Sequence, residues 1–141
     1  MNDVASIVFA VLAGIFTTLE VTINSKLGTL ISPKIATLHS LITGSILLII
    51  FNLIKGTLSQ YKKIIYISPK WLIGGIFGAL IIYFSTKAMP ELGVTKTLTF
   101  LLTAQLISGL LIDTFILGQQ LYFYKIAGVI LLIISVFFIS S

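Results

Sequence analysis

Apolar residues in this chain come in long blocks rather than in stripes. Five blocks stand out: about Val4 to Ser25, Ile35 to Ile54, Trp71 to Ala88, Val94 to Leu117 and Tyr122 to Ile139. A helix needs about 20 apolar residues to cross roughly 30 Å of hydrocarbon, and each block is near that length. Strands fit poorly. A membrane barrel needs alternating polar and apolar positions, whereas Ile130 to Ile134 is apolar at every residue. The punctuation agrees. Pro33, Pro69 and Pro90 fall in the gaps, where a missing backbone donor costs least. Tyr61, Tyr66 and Trp71 precede the third block, and Tyr122 and Tyr124 open the fifth, as expected of rings at headgroup level. Ser59 to Lys70 is the long connection, with room for a short interfacial helix. The pattern predicts an all-α polytopic membrane protein, a five-helix bundle forming one transmembrane domain over residues 1–141.

Composition strengthens this reading. Hydrophobic residues make up 57% of the chain and charged residues 9%, against about 25% charged in soluble domains. Five spans take about 100 residues and leave about 40, too few for a soluble domain. The net charge of +5 would suggest nucleic acid in a soluble protein. Here the lysines are spread through the gaps and the ends of the blocks and there is no arginine, so nucleic acid is not an expected partner. The chain has no cysteine, which removes disulfides and thiolate metal sites. The start, Met1-Asn2-Asp3, is acidic and lacks the basic opening of a signal peptide, so the first block reads as a retained helix. Short connections point to a bacterial inner membrane, crossed several times.

The lysines are nearly balanced across the bilayer. With five spans, Lys55, Lys62, Lys63, Lys70 and Lys125 share the side of the N-terminus, and Lys26, Lys34, Lys87 and Lys96 the other, five against four. Orientation normally follows an excess of basic residues on the cytoplasmic side, and this split supplies almost none. Three arrangements compete: both orientations with pairing to an inverted copy, one orientation with an inverted homologous partner, or one orientation set by other factors. Many transporters are built from inverted halves around a midplane site.

Polar residues inside the blocks are the candidates for chemistry. Glu20 lies in the first span, about 8 Å from its middle at 1.5 Å per residue. A charged carboxylate facing lipid costs several kcal/mol, so it is protonated, paired or turned to an aqueous cavity. Thr17, Glu20 and Asn24 share one helical face. That face reads either as a proton-titrating or cation-binding site or as polar packing. His39 and Thr43 form a polar pair at helical spacing that reads either as a functional site or as simply interfacial. Gln105, Gly109 and Asp113 form a ladder on the fourth span, flanked by Thr103 and Ser108, that either binds solute or joins helices. Asp113, within a turn of the span end, reads better as a solvated position. Gly74 and Gly78 read as helix packing, and Tyr83 as a packing residue. No catalytic triad, phosphate loop or metal-ligand cluster is present. The chain therefore reads as no enzyme, with no cofactor and no metal.

Longer segments resemble a known family. Leu19-Glu20-Val21-Thr22-Ile23-Asn24-Ser25-Lys26-Leu27-Gly28 is followed by Ser32-Pro33 and Thr43-Gly44. Gly74-Gly75-Ile76-Phe77-Gly78-Ala79, Pro90-Glu91-Leu92-Gly93, Ala104-Gln105-Leu106 and Leu111-Ile112-Asp113 continue the series. In this order they resemble the YdcZ-like family of small five-helix bacterial membrane proteins in the drug/metabolite transporter superfamily. The resemblance implies dual-topology homodimers, pairs of opposite orientation or fused two-domain chains, and a transport role. Gln is expected at the position of Glu20 in many relatives, so proton coupling there is not implied for the whole family. The small multidrug resistance proteins, more distant cousins, share the inverted-dimer plan and a membrane glutamate on the first helix.

Together these observations predict a secondary transporter. It would move a small polar or amphipathic solute by alternating access as an inverted, antiparallel dimer in the lipid bilayer, with Glu20 either coupling protons or holding a cationic group. Glu20, Asn24 and Gln105 would share the cavity, with Thr17 and His39 near it. The rivals are a non-transporting subunit that stabilises a partner, and a channel.

Overall fold

The computed structural model describes residues 3–140. Met1 and Asn2, part of the acidic start, and Ser141 lie outside the described residues. The described residues form five α-helices and no strand. The helices are α1 (Asp3–Leu30), α2 (Pro33–Ile54), α3 (Gly74–Leu92), α4 (Val94–Phe115) and α5 (Phe123–Ser140). Four helical segments are long and apolar enough to cross a membrane: α1, α2, Pro69–Leu92 and α4. The fifth apolar helix, Phe123–Ile139, is shorter.

Burial is reversed relative to a soluble protein. Among the described residues, the buried apolar ones are Val21, Ala36 and Met89, while Asn24, Ser25, Thr37, Ser85, Thr86, Thr97 and Thr103 are buried polar ones. Leucine, isoleucine and phenylalanine side chains cover the outside. Such a surface is stable against lipid tails and unstable in water. Inside hydrocarbon every polar group needs a partner within the protein. The hydroxyls largely bond back to their own helices: Thr17 to the Ala13 carbonyl at 2.9 Å, Thr37 to Pro33 at 2.8 Å, Ser85 to Ile81 at 2.7 Å and Thr103 to Thr99 at 2.8 Å.

The chain divides into two compact units, one ending at Pro90 and one starting at Glu91. In the first unit α1 and α2 pack as an antiparallel hairpin. Ser32 makes the reversal. Its backbone is extended, its hydroxyl accepts from the Ile35 N–H at 3.3 Å, and Pro33 follows at the first helical position. This is a standard helix start: the side chain satisfies an orphan donor, and proline lacks one. Pro33 is therefore the first residue of a helix rather than part of a gap, and Pro69 likewise opens a short 3-10 turn, Pro69–Trp71. Pro90 lies inside α3, contrary to its expected place in a loop. It stands two residues from the helix end, where the missing N–H interrupts one bond and Leu92 closes the helix. Gly93, with φ of 80°, is the single residue between α3 and α4.

α1 runs on to Leu30, five residues past the apolar block. Lys26 and Thr29 are tolerated near the helix end, where Thr29 caps the Lys26 carbonyl at 2.7 Å. At the far end of α2, Gly56 adopts φ of 65°, the left-handed conformation that commonly stops helices. Asn52 and Thr57 lock this turn through a 2.8 Å side-chain hydrogen bond. The long connection holds a 3-10 helix, Leu58–Tyr66, packed against α2. In the second unit α4 and α5 form another hairpin, with Gly118 at φ of 63° in the connection.

Close helix approach falls at Gly28 rather than at Gly74 or Gly78. A Cβ added at Gly28 would stand 2.7 Å from the Thr86 methyl and 3.4 Å from the Pro33 backbone. At Gly74 and Gly78 it would meet nothing within 4 Å. Among the described residues, nothing closes on the Gly74 and Gly78 positions.

Candidate functional site

The α1–α2 hairpin brings three polar side chains together. Asn24 and Ser40 stand eight residues either side of Ser32 (32 − 24 and 40 − 32), so the antiparallel register places them opposite each other. The Asn24 amide donates to the Ser40 hydroxyl at 3.1 Å, and that hydroxyl donates to Glu20 Oε1 at 3.3 Å. Glu20 and Asn24 share a face because they are four residues apart in a helix. Asn24 is buried, Ser40 half-buried and Glu20 exposed.

The geometry sets what this group can do. α1 spans 28 residues, about 42 Å, longer than the roughly 30 Å of hydrocarbon. Glu20 lies about 5 Å along the axis from its midpoint, deeper than a helix ending at Ser25 would put it. Within the first unit its carboxylate meets a hydroxyl and no ammonium. One oxygen is held by the Ser40–Asn24 chain, and the side chain opens outward from the hairpin. A carboxylate so placed can take up a proton or receive a cation.

The remaining predicted residues are distributed differently. The Thr17 hydroxyl is committed to the Ala13 carbonyl, so it stands beside Glu20 without bonding to it. His39 is exposed on α2, and Thr43 donates to its backbone carbonyl at 2.8 Å rather than to its ring. Gln105 belongs to the second unit. There Gln105, Gly109 and Asp113 line a groove of about 370 Å³ with Tyr124, Lys125 and Gly128 of the α5 region. Lys125 reaches Asp113 at 3.8 Å and donates to Gln119 at 3.4 Å. Asp113 is thus ion-paired to the neighbouring helix at the end of α4. Among the described residues no group of three or more histidine, aspartate or glutamate side chains could hold a metal.

Ser40 is the member that reading by residue type missed. A lone serine in an apolar helix carries little signal. The signal that finds it is the hairpin register: once Ser32-Pro33 is recognised as the reversal, the partner of Asn24 follows.

Comparison with known proteins agrees with this architecture. The family model described as "Putative inner membrane exporter, YdcZ" matches residues 5–138. The chain is 27% identical over 149 residues to the inner membrane protein YdcZ of Escherichia coli strain K12, an alignment covering 99% of this chain and 97% of that relative. No solved structure matches the chain.

Proposed function

The chain belongs to the YdcZ family and is a multi-pass inner membrane transporter, and on that premise we propose that it is a secondary transporter working as an inverted dimer. It moves a small polar or amphipathic solute, and Glu20 carries the coupling proton or holds a cationic group of the solute. The observation that carries this reading is the exposed Glu20 carboxylate near the middle of α1, held from one side by Ser40 and Asn24. Left against lipid it is costly by several kcal/mol when charged. Protonation, a solute cation or a second copy of the chain relieves that cost, and alternation among these states is what a coupled carrier needs.

Two further features support the inverted dimer. The five-to-four division of lysines gives little preference for either orientation. The Gly74–Gly78 stripe is open on this chain, and small residues of this kind let helices from another chain approach closely. In an inverted pair two Glu20 sites meet the same midplane region from opposite directions, the geometry from which alternating access follows.

Two experiments test the reading. Because the chain has no cysteine, a single Gln119→Cys variant can be labelled with a membrane-impermeant thiol reagent in intact and then permeabilised cells. Labelling of about half the molecules before permeabilisation is expected, whereas all or none means one orientation and excludes the dual-topology dimer. For transport, proteoliposomes containing a pH-sensitive dye are challenged with a panel of small amines and neutral polar solutes. Saturable, solute-dependent proton flux that disappears in Glu20→Gln is expected. Flux without saturation indicates a channel, and full retention in Glu20→Gln removes Glu20 from the mechanism.

A further inference from the structure

The connection from Lys55 to Trp71 differs chemically from the rest of the chain. It carries Lys55, Lys62, Lys63 and Lys70, and no aspartate or glutamate occurs anywhere between Glu20 and Glu91. It also carries the exposed aromatic rings of Tyr61, Tyr66 and Trp71, with the Lys70 ammonium 5.2 Å from the Trp71 ring centre. Its 3-10 helix, Leu58–Tyr66, has three residues per turn, so side chains three apart stand in rows. One row, Leu58, Tyr61 and Ile64, contributes Leu58 and Tyr61 to a groove of about 650 Å³ whose other wall includes Leu48, Ile49 and Asn52 of α2. The other two rows carry Lys62 and Lys63, both exposed, together with the most exposed apolar positions of the segment, Ile65 at 83% and Tyr66 at 89%.

Depth and charge agree along this groove. Leu48 and Ile49 lie one to two turns inside the end of α2, at the level of acyl chains. Lys62 and Lys63 directly follow the groove-lining Tyr61 on the segment that joins two spans, at the level of headgroups. The largely apolar groove, lined also by Ser45, Thr57 and Gln60, runs beside a helix whose two flanking rows carry Lys62 and Lys63, a setting suited to an anionic amphiphile. Clusters of lysine beside a membrane helix attract anionic lipid by about 1 kcal/mol per residue, and nothing acidic in this segment opposes them.

We propose that the groove between α2 and the Leu58–Tyr66 helix is a binding site for an anionic phospholipid. One acyl chain lies against Leu48, Ile49 and Leu58, and the phosphate is held by Lys62 and Lys63. The site is separate from Glu20 and operates in either orientation of the chain, because the segment meets a leaflet on whichever side it emerges. It ties the α2–α3 connection to the bilayer surface independently of the solute.

The test is a lipid titration of the full-length, delipidated protein in detergent, read by native mass spectrometry. The probes are phosphatidylglycerol, phosphatidylcholine with the same acyl chains, and glycerol phosphate. Phosphatidylglycerol is expected to bind at least tenfold more tightly than phosphatidylcholine, and glycerol phosphate not to bind. Lys62→Gln with Lys63→Gln should weaken phosphatidylglycerol roughly 10- to 30-fold, about 1 kcal/mol per lysine. Lys26→Gln with Lys34→Gln, the same charge change at the helix ends flanking the α1–α2 reversal, should leave it unchanged. Leu48→Trp, which fills the groove, should weaken both phospholipids. Equal binding of the two phospholipids by the unaltered chain overturns the proposal. So does equal loss in the two lysine pairs, which would mean diffuse charge attraction, and so does tight binding of glycerol phosphate, which would mean a soluble-anion site. Unchanged binding in Leu48→Trp removes the groove from it.

Discussion

The α1–α2 hairpin and the α4–α5 hairpin each place a carboxylate in an apolar helix, and they treat it differently. In α4–α5, Asp113 stands two residues from the end of its helix and meets Lys125 of α5 at 3.8 Å, with both side chains partly exposed. Its charge is neutralised locally and close to water, so it fastens two helix ends. In α1–α2, Glu20 stands near the middle of its helix, and its neighbour is a neutral hydroxyl that Asn24 orients. Hydroxyl and amide position this carboxylate without cancelling its charge. Ion pairs at helix ends are cheap to keep, whereas a mid-span carboxylate held only by neutral groups is the position at which the proposed coupling role is to be tested.

Five substitutions break or sharpen this contrast, and the largest effect is expected at Glu20. Glu20→Gln should abolish the pH dependence of solute flux in proteoliposomes, lowering coupled transport by an order of magnitude or more, while Asp113→Asn retains the pH profile. If both variants lose it, the division between the hairpins is wrong. Next comes packing. Gly28→Ala drives a methyl into Thr86 and the Pro33 backbone and should destabilise the protein by about 1–3 kcal/mol. Gly109→Ala in the other hairpin meets open space and should be neutral or stabilising by about 0.5–1 kcal/mol, because alanine costs less helix entropy. Thermal unfolding in detergent reads both. Ser40→Ala removes the link between Asn24 and Glu20 and should cost about 0.6–2 kcal/mol, the range of hydrogen bonds between membrane helices. It should also alter the pH profile without abolishing flux. Unaltered coupling would show that the serine has no part in holding Glu20. The smallest effect is expected for the stability of Asp113→Asn, about 0–1 kcal/mol and declining with salt, measured by the same unfolding at two ionic strengths.

The helices were legible in the sequence because the signal for a span is additive over about 20 residues. Val4 to Ser25 and Ile35 to Ile54 needed no single residue to be right. Boundaries were less legible, since polar residues such as Lys26 and Thr29 are accepted at a helix end at headgroup depth and extend α1 to Leu30. Pro90 misled because proline near a helix terminus sacrifices only one bond. Glu20, Asn24 and the Gln105–Asp113 ladder stood out as polar residues in an apolar context. Their partners did not, because Ser40 and Lys125 acquire meaning only from hairpin register. Gly28 was unreadable as a packing site for a related reason: its importance comes from Thr86, 58 residues further along (86 − 28).

The lone tryptophan of the chain, Trp71, is largely exposed beside Lys70 at the foot of the third span. It makes the protein its own optical reporter. Indole emission shifts to shorter wavelength as the ring leaves water, and all indole emission of the unlabelled chain comes from one known position in the sequence. Quenchers dissolved in water and quenchers fixed along acyl chains can locate that ring. Any movement of the Lys55–Trp71 connection during a transport cycle can then be followed in real time without attaching a dye.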